Sequence, residues 1–267
     1  MATRRTVCAA AGGLLLLSGC MTTRNLPPAA AIAELTPTGK LRAAINFGNP
    51  ILAARGADGQ PAGVSVDLAK EVARRVGRPL ELVTFNSAGN TVDAMKAGQV
   101  DMAFVAIDPV RAADMEYTAP YVVIEGAYLV RVGSPLERNE EVDRRGTRVV
   151  VARGSAYDLY LTRELKNATI VRVPTSPEVT DAFLAQNLDV AAGVKQQLEM
   201  DAKRVGPGVR LLPGRFMVIN QAMGVPKGRT QAQAWLSRFV EEMKSSGFVA
   251  QALQRHRIEG AAVAPLA

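Results

Sequence analysis

Strand and helix signals alternate along this chain, and the alternation restricts it to an α/β fold. Apolar runs of strand length lie at residues 41–45, 80–85 and 100–107. Between the first two runs, Leu68, Val72 and Val76 repeat at the spacing of one helix face. Gly77 follows and predicts the end of that helix. Strands separated by helices in this order are expected to be parallel and joined by right-handed crossovers.

A second α/β cycle follows the first. It predicts strands at 148–152, 169–173 and 188–193, and helices at 157–165, 178–186 and 196–202. Extended segments at 121–132 and 217–225 separate the two cycles, and an amphipathic helix pair at 230–256 is broken at Gly247. Two cycles joined by extended segments predict two lobes with a cleft between them. The chain is expected to cross between the lobes near 122–127 and near 216–221.

The first 38 residues have the pattern of an export segment. Arg4 and Arg5 precede an apolar stretch at 7–17, which is too short to be a stable membrane anchor. Leu17-Ser18-Gly19-Cys20 resembles a bacterial lipobox, so we expect residues 1–19 to be a signal peptide and Cys20 to carry the lipid. An uncleaved hydrophobic N-terminus, an ordinary secretory signal and twin-arginine export are the alternatives. Residues 20–38, rich in Ala, Pro and Thr, predict a flexible tether.

The composition excludes several classes of site. The only two cysteines, Cys8 and Cys20, lie in the export segment, so the mature protein is expected to have no disulfide and no cysteine metal site. The net charge is +7, but its basic residues are mixed with acidic ones, which does not support nucleic-acid binding. We therefore predict a monomeric, exported protein without a metal or a cofactor, anchored to the cell membrane on the periplasmic side.

Six segments, in order, resemble the family 3 extracellular solute-binding proteins of ABC transporters. They are Gly39-Lys40-Leu41-Arg42, the turn and helix start at 59–69, the block at 94–101, Arg111 with Tyr117-Thr118-Ala119-Pro120-Tyr121, Gly224-Val225-Pro226-Lys227-Gly228, and the terminal helix. The resemblance covers about residues 40–258 and implies the bilobal type II periplasmic-binding-protein fold, two α/β lobes joined by two hinge crossovers. By that resemblance lobe one is 39–122 plus 219–260, and lobe two is 123–218. It implies capture of a small carboxylate-bearing solute, an amino acid or a related compound, for an ABC permease in the inner membrane.

The resemblance also places four residues in the cleft. Arg111 stands where the family has an arginine that grips a carboxylate, a task suited to a planar guanidinium. Asp108 either caps the turn after Pro109 or pairs with Arg111 or with a cationic group of the solute. Gly154 and Ser155 are expected to offer backbone amides at a helix start, and Ser155 can also be an N-cap.

One position departs from the family. Val194 stands where the family often has an aspartate that pairs with the ammonium group of an amino acid. Lys195 next to it could meet an anionic group or be solvated. Glu125 interrupts an apolar hinge segment and could replace the missing acid, or it could face solvent.

The loop after the first strand is expected to lie at the mouth of the cleft. It carries Asn46, Phe47 and Asn49, of which Phe47 could contact the solute or the core. Asn86 and Asn90 are further candidates, although such residues are more often turn formers.

An enzyme on the same scaffold is the main competitor. The resembled superfamily includes cyclohexadienyl dehydratase, and such an activity would need a general acid or base in the cleft. Glu125 and Asp108 are the only evident candidates, because the single histidine, His256, lies between two arginines in the terminal helix. A lipoprotein that acts only as a receptor is a third possibility. We predict a binding protein with no catalytic residues.

Overall fold

The computed structural model describes residues 26–267, so the predicted signal segment and Cys20 lie outside the described residues. The helices are α1 (Ala29–Leu35), α2 (Val64–Val76), α3 (Ala88–Lys96), α4 (Ala156–Glu164), α5 (Glu178–Ala185), α6 (Lys195–Val205), α7 (Thr230–Ser245) and α8 (Phe248–Arg255). The strands are β1 (Leu41–Asn46), β2 (Ala54–Arg55), β3 (Pro61–Ala62), β4 (Leu80–Phe85), β5 (Met102–Ala106), β6 (Met115–Arg131), β7 (Arg148–Ala152), β8 (Thr169–Val173), β9 (Val190–Val194), β10 (Val209–Leu211), β11 (Met217–Pro226) and β12 (Ala262–Val263). Within residues 26–267, no helix is both long enough and apolar enough to span a membrane.

Two groups of parallel strands form the two lobes. The main sheet has the order β4-β1-β5-β11-β6-β9-β7-β8, with β10 and β12 each paired to β6. In the first lobe β1 is parallel to β4 and β5, and in the second lobe β7 is parallel to β8 and β9. The predicted α/β class and two-lobe architecture are confirmed. Buried apolar side chains cover these strands, as expected for parallel sheets packed between helices.

The long strands β6 and β11 connect the two lobes. They are antiparallel to each other from the pair Met217 and Gly126 to the pair Pro226 and Met115. The carboxyl-terminal half of β6 also pairs with β9 of the second lobe, where Gly126 lies opposite Val194. These strands are the two extended crossovers that the sequence predicts, and the residue at which one lobe gives way to the other stays a prediction.

Two glycines fix the ends of α2. Gly77 has a φ of +67° and ends the helix in the left-handed conformation, as predicted. At the other end, Gly63 has a φ of +126°, and a Cβ on it would lie 2.4 Å from the carbonyl oxygen of Leu52. This close approach lets the helix begin at Val64, three residues before the predicted start at Asp67.

Residues 29–35 are helical, which corrects the prediction that 20–38 is a flexible tether. Ala31 and Leu35, four residues apart, are both fully buried. Glu34 ties the helix to the start of α7, since its Oε2 accepts a hydrogen bond of 2.8 Å from the amide of Ala232 and its carbonyl oxygen accepts one of 2.7 Å from Arg229. The alanine-rich composition that predicts a tether also favours helix, and burial of one face decides between the two.

The C-terminal segment lies along the hinge. Strand β12 pairs with β6 through Val122 and Val123, and the amide of Ala264 donates to the carbonyl oxygen of Tyr121 at 3.2 Å. The buried Lys244 of α7 donates to the carbonyl oxygen of Pro265 at 2.7 Å. Residues 262–265 therefore cover one edge of the crossover strand β6. The sequence predicts no structure for these residues.

Candidate functional site

The carboxyl ends of the two groups of parallel strands face each other across a cavity. The first lobe contributes Asn46, Gly48, Asn49, Ala88, Val105, Ala106 and Arg111 to its lining. The second lobe contributes Ser155, Ala156, Tyr157, Ser176 and Val194, and the crossover strand β11 contributes Ile219 and Gln221. Loops at the carboxyl ends of strands are the usual place for ligands in α/β folds. Most of these residues lie at the carboxyl ends of β1, β5, β7, β8 or β9 or in the turns after them, which is why the fold brings them together.

The space between the lobes is small in this arrangement. The cavity volume is about 30 Å³, which is room for about two water molecules and too little for an amino acid. A solute of amino-acid size therefore enters only if the lobes separate, a movement that the two crossover strands β6 and β11 allow.

Arg111 is the only charged residue of the cavity lining in the part of the chain that the structure describes. It begins a short 3-10 turn after β5, and it is 3% exposed. One terminal nitrogen, Nη1, donates to the carbonyl oxygen of Ala106 and the other, Nη2, to that of Gly154, both at 2.8 Å. The second bond crosses from one lobe to the other. Burial lowers the pKa of Arg111, while nearby Tyr117 and Asp108 oppose that shift.

Asp108 lies next to Arg111 but does not line the cavity. Its Oδ1 accepts a hydrogen bond of 2.8 Å from the amide of Val110, which agrees with the capping alternative. Its Oδ2 pairs with Arg163 of α4 in the other lobe at 2.9 Å. Arg163 was not among the partners that the sequence predicted. Asp108 therefore already has two partners, and one of them is a second link between the lobes.

The turn after β7 brings the second lobe close to the first. Gly154 has a φ of +68°, and a Cβ on it would lie 3.0 Å from the Cα of Gly89. The amide of Gly154 donates to Asp158 at 2.8 Å, and that of Ser155 donates to the carbonyl oxygen of Ala152 at 3.1 Å. These contacts correct the expectation that both amides point into the cleft. Ser155 lines the cavity and also caps α4, since its Oγ accepts from the amide of Asp158 at 3.0 Å.

Glu125 and Lys195, two residues proposed from the sequence, pair with each other outside the cavity. The distance from Glu125 Oε2 to Lys195 Nζ is 3.0 Å, and Glu125 Oε1 lies 2.6 Å from Nη1 of Arg215. Hydrogen bonds from Arg215 and Lys195 lower the pKa of Glu125. The group joins β6, the start of α6 and the segment before β11, so it stabilises the crossover region on the second-lobe side.

The loop after β1 places two of its three candidates in the cavity wall. Asn46 lines the cavity and its Oδ1 accepts from the amide of Gly48 at 2.9 Å. Asn49 also lines it, and its Oδ1 is buried with no hydrogen-bond partner. Phe47 packs against the core, and the guanidinium of Arg55 lies 5.1 Å from its ring centre.

Several lining residues were not predicted from the sequence. Gln221 is 6% exposed on β11, and its signal is the polar pair Asn220-Gln221 within the otherwise apolar stretch 217–225. Tyr157 donates to Ser176 at 2.8 Å, and burial raises its pKa to about 12. Neither Tyr157 nor Ser176 has a sequence signal, since they look like an ordinary helix residue and an ordinary turn residue.

The single histidine lies elsewhere. His256 Nε2 is 2.8 Å from Oδ2 of Asp67, and Arg255 also contacts that carboxylate at 3.1 Å. Both contacts join α8 to α2 within the first lobe, as expected for a residue that packs elements together. Residues 26–267 contain no cluster of three or more His, Cys, Asp or Glu side chains that could hold a metal ion.

No curated protein matches the chain. Many solved structures match its fold, and three of them illustrate the range of activities. The solute receptor for L-cysteine of Neisseria gonorrhoeae is 21% identical with a TM-score of 0.73, over 84% of this chain and 92% of that chain. An ancestral amino-acid-binding protein, described as a precursor of cyclohexadienyl dehydratase, is 19% identical with a TM-score of 0.71, over 84% and 98%. A histidine kinase sensor domain with similarity to periplasmic binding proteins is 18% identical with a TM-score of 0.72, over 84% and 98%.

At these identities the solved structures show the fold alone. The sequence itself carries the family assignment, because the family model matches residues 32–258, nearly all of the described chain. The protein belongs to the bacterial extracellular solute-binding proteins, family 3.

Proposed function

We propose that this protein is the substrate-binding component of an ABC importer and captures a small carboxylate-bearing solute between its lobes. The observation that carries the proposal is Arg111, a buried cation in the cavity wall. Its Nη1 and Nη2 each donate one hydrogen bond to a carbonyl oxygen of the protein. A guanidinium has five N–H groups, so three remain for a solute. A carboxylate is the natural partner, since it accepts two parallel hydrogen bonds and neutralises the charge.

The lining of the cavity favours binding over catalysis. Within the described part of the chain, Arg111 and Tyr157 are its only titratable members. The pKa of Tyr157, raised to about 12 by burial, keeps its hydroxyl protonated at neutral pH. A general acid or base works best with a pKa near the operating pH. The raised pKa of Tyr157 lies far above it, and an arginine guanidinium stays protonated in proteins. Asp108 and Glu125, the two residues considered for that role, are held by cationic partners outside the lining.

The remaining parts of the proposal concern the surroundings of the protein. A family of extracellular solute-binding proteins acts outside the cytoplasm, and we propose the periplasm, with a lipid on Cys20 and a monomeric state. We further propose that the lobes meet near residues 122 and 219, where β6 and β11 pass between them. A receptor without a transporter is the remaining alternative, since a kinase sensor domain has the same fold. Adjacent permease and ATPase genes would favour transport over signalling.

Calorimetry on the mature protein tests the role of Arg111. Arg111→Met keeps the length of the side chain and removes its charge and its donors. We expect the affinity for the carboxylate that the wild type binds to fall by roughly 100-fold, the value of about two charge-assisted hydrogen bonds. Arg145→Met is the matched control, because Arg145 is an exposed arginine of the loop before β7. A folded Arg111→Met protein that binds as tightly as the control would refute the proposal.

A further inference from the structure

The charges around the cavity distinguish between two kinds of carboxylate-bearing solute. An α-amino acid brings a carboxylate and an ammonium group, whereas a hydroxy or keto acid brings only the carboxylate. Both fit the proposed function, on which this inference rests. The chemistry of the wall differs for the two, because a buried ammonium needs an acidic partner.

No carboxylate lines the cavity among residues 26–267. Two acidic residues that lie close in sequence to lining residues are held by other hydrogen bonds and ion pairs. Asp108 pairs with Arg163 and the amide of Val110. Asp158 accepts from the amide of Gly154 and pairs with Arg172 at 2.9 Å.

The wall therefore carries one positive charge, that of Arg111, and nothing that neutralises a second one. A solute carboxylate would compensate Arg111 and leave the site neutral. An ammonium group on the same solute would add a buried positive charge without a partner. A buried ion pair that loses one partner also leaves a buried charge without a partner, and that loss is strongly destabilising.

The neutral polar groups of the wall suit a hydroxyl or a carbonyl. Asn49 presents a buried Oδ1 that accepts no hydrogen bond within the described chain. A solute hydroxyl could donate to it without bringing a charge. Asn46, Ser155 and Gln221 add side chains that can donate or accept across the same small space.

Val194 marks a position in the same wall where the fold could hold an acid. Val194 ends β9, lines the cavity and is the N-cap residue of α6, with an extended backbone. An aspartate suits that position in the fold, since Asp is a preferred N-cap. The chain has an apolar, uncharged side chain there instead.

We propose that the solute is a small carboxylate without an ammonium group, of the 2-hydroxy or 2-keto acid class. The carboxylate binds Arg111, the hydroxyl or carbonyl binds the neutral polar groups near Asn49, and the remainder of the solute packs against the apolar wall.

Matched pairs of solutes test the proposal by calorimetry on the wild-type mature protein. The pairs are L-alanine and L-lactate, L-leucine and L-2-hydroxy-4-methylpentanoate, L-phenylalanine and L-phenyllactate, and L-glutamate and 2-oxoglutarate. In the pair that binds best, we expect the acid without an ammonium to bind roughly 100-fold more tightly than its amino acid. An amino acid that binds as tightly as its partner, or more tightly, would overturn the inference and leave the proposed function standing. If none of these eight carboxylates binds, both fail.

A substitution at Val194 provides a second measurement. Val194→Asp places an acid at the wall. Val194→Asn places a side chain of nearly the same shape as aspartate but without its charge. We expect Val194→Asp to shift the preference toward the amino acid of the pair at least about tenfold more than Val194→Asn does. Equal shifts in the two variants would overturn the argument from charge. Circular dichroism on both confirms that the fold is intact.

Discussion

Replacing Gly154 with alanine should hinder closure of the lobes. The change adds one methyl group at the point where the second lobe meets the first. That methyl would lie 3.0 Å from the Cα of Gly89, which is closer than ordinary van der Waals contact, and 3.5 Å from the amide nitrogen of Gly89. The backbone of Gly89 cannot rotate away as a flexible side chain could, so the lobes must stay a few tenths of an ångström further apart. The hydrogen bond of 2.8 Å between Arg111 and the carbonyl oxygen of Gly154 would lengthen with them.

Two effects contribute to the magnitude. The left-handed backbone at Gly154, with a φ of +68°, costs a residue with a Cβ about 1 kcal/mol in both the open and the closed form. Overpacking against Gly89 adds about 1–3 kcal/mol in the closed form alone. Only the second effect changes the equilibrium between open and closed lobes, by roughly 5- to 150-fold.

Gly77→Ala separates the two effects. Gly77 has a nearly identical φ of +67°, but a Cβ there meets nothing within 4 Å. Both variants should lose about 1 kcal/mol of unfolding free energy in urea. Only Gly154→Ala should bind solute more weakly and give a larger radius of gyration in small-angle scattering with solute present. Equal affinities in the two variants would refute the contact between Gly154 and Gly89 as a feature of the closed protein.

The ion pairs of Glu125 and of Asp101 lead to two further predictions about stability. Glu125→Gln should cost about 1 kcal/mol at pH 7, because Lys195 and Arg215 are partly exposed partners. Their hydrogen bonds lower the pKa of Glu125 below its usual 4.5, so this contribution is present above that pH and is lost as the pH falls through the lowered pKa. Urea unfolding of the variant and the wild type should therefore converge in acid, and a constant difference would contradict the ion pairs. Asp101→Asn should cost about 3 kcal/mol in the same assay at pH 7, since Asp101 is fully buried and Arg42 binds both of its oxygens, at 2.8 and 2.9 Å. A loss of unfolding free energy below about 1 kcal/mol would show that the pair of Asp101 and Arg42 does not stabilise the fold.

The fold could be predicted because its signals are local. The strands at 80–85, 148–152 and 169–173 have the bounds that their apolar runs indicate. Helix α1 and strand β12 could not be assigned, because each is short and is stabilised by an element far along the chain: α7 for the helix and β6 for the strand. The sequence contains the residues of these contacts but no pattern that joins them.

The site could be predicted only in part, for the same reason. Arg111 follows a buried strand, and its place is therefore set by nearby sequence. Glu125 pairs with Lys195, 70 positions away, and Asp108 pairs with Arg163, 55 positions away. The sequence leaves the role of each acid undecided, whereas the fold gives each one a cationic partner. Without these partners, either acid could be a ligand or a catalytic group, and the sequence does not show the partners.

Arg111 can serve the solute and the closed lobes at the same time. Its bonds to the carbonyl oxygens of Ala106 and Gly154 use two of its five N–H groups, one on each terminal nitrogen. A carboxylate that takes N–H groups from the remaining three leaves the bond between the lobes intact. The charge that the solute neutralises is thus also the charge that holds Gly154 against the first lobe. Binding then stabilises closure without exchanging one contact for the other, and a solute without a carboxylate would leave Arg111 buried with its charge uncompensated.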